Sequence, residues 1–237
     1  MSNHLIFDNW IIREKMKKHI KTLQNCSLFK DISPDDIERM LICLKAEVIS
    51  FDKEYTIMAD GMPAKYIGIM LSGTARVSQI DYYGNRNIIG IVEKSEMFSE
   101  AFACAGVQEL PVMVTATEPC EVMFIDSNRV LHTCSGCCDF HQKLIYNLMK
   151  NLAEKIVMFH QKIEVTSKRT TREKLLTFLM NCSKQTGSDS FNIPYDRQEL
   201  ADYLGVERSG LSSEISKLKA EGIIENNKNY FVFLDKT

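Results

Sequence analysis

The spacing of apolar residues changes twice along this 237-residue chain and divides it into three parts. Between residues 46 and 126, short apolar or alternating runs are separated by turns, a pattern typical of an antiparallel sandwich or barrel. The predicted strands cover residues 48–51, 66–71, 75–80, 87–92, 112–116 and 121–125. Upstream, helices are predicted over residues 9–23 and, with Ser33 as its N-cap and Pro34 in its first turn, from there to about residue 44.

Residues 139–167 predict one long helix with a narrow apolar stripe. The stripe repeats at spacings of 4, 3, 4, 3 and 4, which is the a/d seam of a coiled coil. Its members are Ile145, Met149, Leu152, Ile156, Phe159 and Ile163. We expect this seam to form a parallel homodimer; the alternative is that it packs on the chain's own barrel.

The third pattern is a pair of short helices joined by a glycine. Gly205 stands where a sharp corner needs a residue free to adopt positive φ, and Gly222 where a glycine follows a helix C-terminus. The inward residues are Leu200, Ala201 and Leu204 in the first helix and Leu211, Ile215 and Leu218 in the second. This spacing predicts a helix-turn-helix, whose second helix enters the DNA major groove. An ordinary helical hairpin is the alternative.

The outward side of the second helix favours DNA binding. Arginine donates two hydrogen bonds to guanine, and hydroxyls contact bases or phosphates. After it, residues 223–234 predict a small hairpin of the winged type with Lys228 near its tip, either as a phosphate contact or as a solvated turn residue. The predicted DNA-binding residues are Arg169, Arg208, Ser209, Ser212, Ser213, Lys217 and Lys228.

Composition narrows the class of protein without naming a ligand. With 45% hydrophobic and 25% charged residues, a globular chain is predicted. No apolar run approaches a membrane span and no export signal is visible, so we expect a cytoplasmic location. Residues 169–237 hold ten basic and ten acidic residues, a neutral balance that counts against DNA binding unless the basic ones share a face. No catalytic triad, carboxylate pair or phosphate loop is present, so we expect no enzyme.

The order of barrel, long helix and winged helix-turn-helix resembles the Crp/Fnr family of bacterial transcription regulators. The segments that carry the likeness are LFKDIS (28–33), ADG (59–61), YIGIMLSGTARVSQIDYYGNRNIIGIV (66–92) and IPYDRQELADYLGVERSGLSSEISKLKAEGII (193–224). The resemblance implies an α+β chain: an N-terminal antiparallel β-roll of the cyclic-nucleotide-binding-like jelly-roll type, a dimerisation helix and a C-terminal winged helix-turn-helix. The expected domains are residues 1–138, 139–168 and 169–237.

Departures from the family pattern argue against cyclic nucleotides. Family members that bind them have a Gly-Glu pair and, ten residues later, an arginine followed by a hydroxyl residue. Here Ser99 replaces the glycine, and Leu110 and Pro111 occupy the later positions. Since a buried cyclic phosphate needs a positive partner, we expect neither cyclic AMP nor cyclic GMP to bind.

The remaining pocket candidates are mostly apolar and suit a small hydrophobic or aromatic effector, although each also suits a barrel core. They are Met70, Ile89, Phe98, Glu100, Phe102, Met113, Phe159 and His160. An iron–sulfur cluster is not expected, because only Cys26 precedes Cys43.

One cysteine group stays open between three interpretations. Cys134, Cys137, Cys138 and His141 have metal or redox spacing, but they also suit reduced thiols that pack where barrel and helix meet. We expect no cofactor, and we favour reduced thiols that pack this junction over a metal site.

The sequence therefore predicts an effector-responsive regulator that binds a palindromic duplex as a homodimer, with RNA polymerase as a candidate partner. The alternative is a small-molecule, redox or metal sensor that acts through protein partners and has a degenerate DNA-binding domain.

Overall fold

The computed structural model describes residues 17–132 and 139–234. Their contacts define two compact units, one of residues up to Gln79 together with Gly90–Glu154, the other of Ile80–Ile89 and Lys155–Thr237. The three-domain division at 138 and 168 remains a prediction. Within the described ranges, no helix has the length and apolarity needed to cross a membrane.

The first unit begins with short helices that cover one sheet. α1 spans Ile20–Asn25, a 3-10 turn spans Ser27–Phe29, and α2 spans Pro34–Cys43. The predicted cap of α2 is confirmed, since the Asp36 amide donates to Ser33 Oγ at 3.2 Å. The part of the predicted first helix that precedes residue 17 lies outside the described residues.

Among the residues described before α5, eight strands form two four-stranded antiparallel sheets, with orders β1-β8-β3-β6 and β2-β7-β4-β5. All six predicted strands are confirmed, whereas β2 and β6 were not predicted because two or three residues are too few to show a period. Two short helices, α3 (Glu100–Cys104) and α4 (Ser127–Leu131), complete this part. The strands are β1 Glu47–Phe51, β2 Thr56–Met58, β3 Tyr66–Ser72, β4 Ala75–Ile80, β5 Arg86–Val92, β6 Met97–Phe98, β7 Met113–Ala116 and β8 Cys120–Asp126.

Side chains of β3 point alternately to its two faces, and each face contributes to a different apolar cluster. Ile67 and Ile69 join the cluster that contains α1 and α2, while Met70 joins a second cluster with Phe98 and Val114. Gly68 pairs directly with Phe98 across β3 and β6. A Cβ built on Gly68 would lie 2.2 Å from Cζ of the Phe98 ring, so this ring needs a glycine beneath it.

The long helix is confirmed as α5, Asp139–Thr166. Near its start, Leu144 and Leu148 are buried in the first unit's core. Asn147 Nδ2 donates to the carbonyls of Leu28 at 3.0 Å and Lys30 at 2.9 Å. The helix is therefore tied to the β-roll by a row of residues adjacent to the predicted seam rather than by the whole seam.

The second unit is a helix-turn-helix with a three-stranded sheet of order β10-β11-β9. The predicted helices and wing are confirmed. Strand β9 was not predicted; it pairs with β11, with Phe191 opposite Phe231. The elements are α6 Thr171–Thr186, β9 Ser190–Asn192, α7 Arg197–Leu204, α8 Arg208–Ala220, β10 Ile224–Asn227 and β11 Tyr230–Phe233.

The segment Ile80–Ile89 also belongs to this unit, and two cationic contacts join it to α7 and α5. Arg86 Nε and Nη2 donate to Asp202 Oδ2 at 2.8 and 2.6 Å. The Lys162 ammonium donates to the Ile88 carbonyl and lies 4.4 Å from the Tyr203 ring centroid. Burial lowers the pKa of Lys162 to about 8.

We predict that Gly68→Ala lowers the free energy of unfolding by about 1–3 kcal/mol, because the added methyl forces the Phe98 ring out of a packed core. Urea unfolding measures the loss. Gly90→Ala is the matched control, since a Cβ there meets nothing within 4 Å. Equal effects of the two substitutions would contradict the assigned role of Gly68.

Candidate nucleic-acid interface

The helix-turn-helix begins at a capped helix and turns at a glycine. The Glu199 amide donates to Asp196 Oδ1 at 2.8 Å, and the Asp196 amide donates to Glu199 Oε2 at 3.0 Å, which completes a capping box for α7. The helix ends at Gly205, whose φ of 61° is the left-handed conformation predicted for it. These local choices fix the start of α7 and the corner before α8.

The two helices are held together by a small apolar contact. Ala201, Leu204 and Leu211 are fully buried, and Ile215 is nearly so. The Val206 amide donates to the Ala201 carbonyl at 3.0 Å and closes the turn. Because the inner faces of both helices are covered, the opposite face of α8 is turned to solvent.

The outward face of α8 brings together most of the predicted DNA-binding residues. Its exposed members are Arg208, Ser209, Ser212, Ser213, Ser216 and Lys217. The Ser216 hydroxyl is engaged locally, since it donates to the Ser212 carbonyl at 3.0 Å. Lys217 lies 3.4 Å from Glu214 in an exposed ion pair. Arg208 and the hydroxyls of the first two turns therefore form the side of α8 suited to base edges.

The wing and the entry to α6 hold the other two predicted residues. Lys228 has a φ of 52° at the turn of the β10–β11 hairpin, and its side chain is exposed. Arg169 is exposed immediately before Thr170, the N-cap of α6. Both positions present an exposed cation, which suits a contact with a backbone phosphate.

A groove of about 600 Å³ runs between the starts of α7 and α8 and the tip of the wing. It contains Arg197, which the sequence analysis missed. Arg197 Nη1 is buried and has no hydrogen-bond partner. Burial, with a smaller contribution from the Arg208 charge, lowers the pKa of Arg197. The residues that line the groove are Asp196, Arg197, Gln198, Arg208, Lys228 and Asn229.

This groove is suited to an anion. An oxyanion between Arg197 and Arg208 would relieve their mutual repulsion and supply the missing acceptor for Nη1. The signal in the sequence was weak, because an arginine directly after an N-cap residue is ordinary in a helix. The arrangement can hold a backbone phosphate beside the first turn of α8.

The neutral charge of the second unit hides an uneven distribution. Arg172 Nη1 lies 3.2 Å from Glu214 and 3.1 Å from Glu221. Asp202 is bound by Arg86, and Lys219 pairs with Glu225 at 3.2 Å. Since ion pairs occupy these carboxylates, and Asp196 is held in the capping box of α7, the groove with Arg197, Arg208 and Lys228 keeps an excess of positive charge.

The predicted effector-pocket residues lie in both units. Those of the first unit are buried or half-buried, and those of the second are half-buried or exposed. Met70, Phe98, Glu100, Phe102 and Met113 belong to the first unit, and Ile89, Phe159 and His160 to the second. The pocket stays a prediction.

The predicted dimer seam divides into two groups. Leu152 packs against the first unit's own core, and Ile145 is half-buried. The other members are exposed: Met149 by 61%, Ile156 by 58%, Phe159 by 47% and Ile163 by 61%. An apolar row of this kind on a 28-residue helix is available to a partner.

The cysteine hypothesis rests mainly on residues that lie outside the described ranges, namely Cys134, Cys137 and Cys138. His141 is described and buried, with Nε2 hydrogen-bonded to the Arg129 carbonyl at 3.0 Å.

Two family models match the chain. The model of the cyclic nucleotide-binding domain matches residues 48–136, and that of the Crp-like helix-turn-helix domain matches residues 173–237.

Three similar proteins agree with those matches. Electron transport regulator A of Shewanella oneidensis is 22% identical over 76% of this chain and 71% of its own length. The transcriptional activator protein FnrL of Cereibacter sphaeroides is 22% identical over 74% of this chain and 71% of its own. A solved structure of the c-di-GMP responsive global regulator CLP of Xanthomonas campestris is 17% identical with a TM-score of 0.70, over 86% of this chain and all of that one.

We predict that Arg208→Ala weakens binding to a preferred DNA duplex by about 1–3 kcal/mol and relaxes the preference at one base position. Lys228→Ala provides the contrast, since loss of a phosphate contact weakens all sequences alike and lowers the salt slope by about 1. Footprinting and titration at several salt concentrations measure both effects. Unchanged affinity and unchanged sequence preference in Arg208→Ala would remove this residue from the interface.

Proposed function

Because the chain belongs to the Crp/Fnr family of bacterial transcription regulators, which bind DNA, we propose that it acts as a homodimer on a palindromic operator. We further propose that a small effector other than a cyclic nucleotide controls it. The observation that carries the proposal is the exposed apolar row of α5 in the same chain as the exposed arginine-serine face of α8. A dimer joined along α5 would present two copies of α8 to one duplex.

The exposed row supports dimerisation on energetic grounds. Burying large apolar side chains such as Ile156, Phe159 and Ile163 stabilises by roughly 25 cal/mol per Å² removed from water. Their spacing of 3 and 4 residues matches the knobs of a parallel coiled coil. Leu152 packs on the chain's own core, whereas the seam members that follow it, Ile156, Phe159 and Ile163, are exposed and are left for a second copy.

The surroundings of residues 99–111 support the exclusion of cyclic nucleotides. Ser99 adopts a φ of 61°, so it keeps the left-handed conformation that favours the glycine it replaces. Leu110, at the position of the family's arginine, is 2% exposed and belongs to an apolar cluster with Phe98 and Val114. The described residues between Lys94 and Arg129 include no lysine or arginine. A phosphate placed there would lack a counter-charge.

The same apolar lining supports a small hydrophobic or aromatic effector, with Met70, Phe98 and Phe102 among the residues that would contact it. RNA polymerase is the further partner we propose, and the DNA target implies action in the cytoplasm. The competing idea of a degenerate DNA-binding domain loses its main support, because the neutral charge of the second unit leaves a cationic groove at Arg197 and Arg208.

We predict that Ile156→Glu converts the dimer to a monomer and lowers affinity for a palindromic duplex by about 100-fold, since two linked contacts become one. Light scattering at several concentrations gives the oligomeric state, and titration of a labelled duplex gives the affinity. Val157→Glu is the matched control, because Val157 is equally exposed at 59% but lies off the seam.

The control variant should remain dimeric and bind DNA like the unaltered protein. If both variants stay dimeric, the interface lies elsewhere on the molecule. If the unaltered protein is monomeric at every concentration, the homodimer proposal fails.

We predict that cyclic AMP and cyclic GMP leave the midpoint of thermal unfolding unchanged, because the described residues between Lys94 and Arg129 supply no lysine or arginine to a cyclic phosphate. A ligand at 100 times its Kd would stabilise the fold by about 2.7 kcal/mol, so binding would be visible as a clear upward shift. A shift at micromolar nucleotide would overturn this part of the proposal.

A further inference from the structure

Gly210 is a glycine that the fold does not require. Of the ten glycines in the described part of the chain, seven have positive φ, and Gly68 lies against the Phe98 ring. Only Gly90 and Gly210 among these ten have neither feature, and a Cβ built on either meets nothing within 4 Å. Gly210 is exposed in the first turn of α8, where glycine is a poorer helix former than alanine.

Gly210 lies among predicted DNA-binding residues, and its lack of a side chain leaves the helix backbone accessible there. It follows Arg208 and Ser209, which are also exposed, and it precedes Ser213 by three residues, so Gly210 and Ser213 are neighbours on the helix surface. The N-terminal residues of a recognition helix are those that meet base edges. A residue without Cβ at this place lets another molecule approach the helix backbone closely.

The size of the neighbouring side chains makes close approach necessary for reading bases. A serine hydroxyl is one bond beyond Cβ, so Ser209 and Ser213 reach a base edge only if the helix axis lies deep in the groove. The major groove is about 12 Å wide and a helix with average side chains about 10–12 Å in diameter, so each removed side chain permits deeper insertion. The cationic groove at Arg197, Arg208 and Lys228 would hold the flanking phosphate.

We propose that Gly210 is the point of closest approach between α8 and the duplex, and that its missing Cβ sets how deeply the helix inserts. The residue thereby determines specificity, because insertion depth decides which base edges the Ser209 and Ser213 hydroxyls contact. This inference rests on the proposed DNA-binding function and adds a residue that makes no side-chain contact of its own.

The test is Gly210→Ala, for which stability and DNA affinity are expected to change in opposite directions. The melting temperature should rise by about 2–4 °C, because alanine favours the helix and the space is empty. Affinity should fall by about tenfold or more, because the methyl group occupies the contact distance. The probe is a duplex selected from a randomised pool by the unaltered protein, and its salt slope should not change because no charge is altered.

A matched control separates the explanations. Gly90→Ala replaces the other unrequired glycine, in strand β5, and should leave DNA affinity unchanged.

Each outcome decides the proposal. Unchanged affinity in Gly210→Ala overturns it, and so does a lower melting temperature, which would show that the fold does need this glycine. Loss of affinity with a raised melting temperature supports it. If the unaltered protein enriches no duplex from the pool, the proposed DNA-binding function fails, a result distinct from the failure of Gly210 alone.

Discussion

The close crossing of α7 and α8 is the constraint on which the DNA-facing surface depends. Ala201 is fully buried at this crossing, and a larger side chain there would separate the helices and rotate the serine face of α8. Gly205 turns the chain with positive φ, so both the corner and the contact exclude most other residues. The proposals for Arg208, Gly210 and the groove therefore depend on the contact that holds α7 against α8.

The distribution of charged side chains around that crossing matters more than their net charge. The carboxylates of Glu214 and Glu221 lie against Arg172, and that of Asp202 lies against Arg86. None of these three carboxylates lines the cationic groove, and Asp196, which does line it, caps α7. A net charge of zero over residues 169–237 is thus compatible with a surface that attracts phosphate, and exposed pairs contribute little to stability by themselves.

How much could be predicted from the sequence depended on the length of each periodic run. The six longer strands, α5 and the helix-turn-helix all have enough residues to show a period, whereas β2, β6 and β9 have only two or three and owe their pairing to distant partners. Arg197 carries no local signal, because its role depends on where the wing and α8 place Lys228 and Arg208. The attachment of Ile80–Ile89 to the second unit likewise could not be predicted from the sequence. One of the contacts that make it joins Lys162 to Ile88, 74 residues apart in the chain.

The burial of Leu110 limits which substitutions the fold tolerates at this position. Neighbouring apolar side chains, among them Phe98 and Val114, fill the space around this residue. An arginine introduced at position 110 alone would place a guanidinium in that apolar environment, at a cost of several kcal/mol. A single change at position 110 toward nucleotide recognition would therefore destabilise the fold. Such a change requires that the neighbouring apolar side chains change as well.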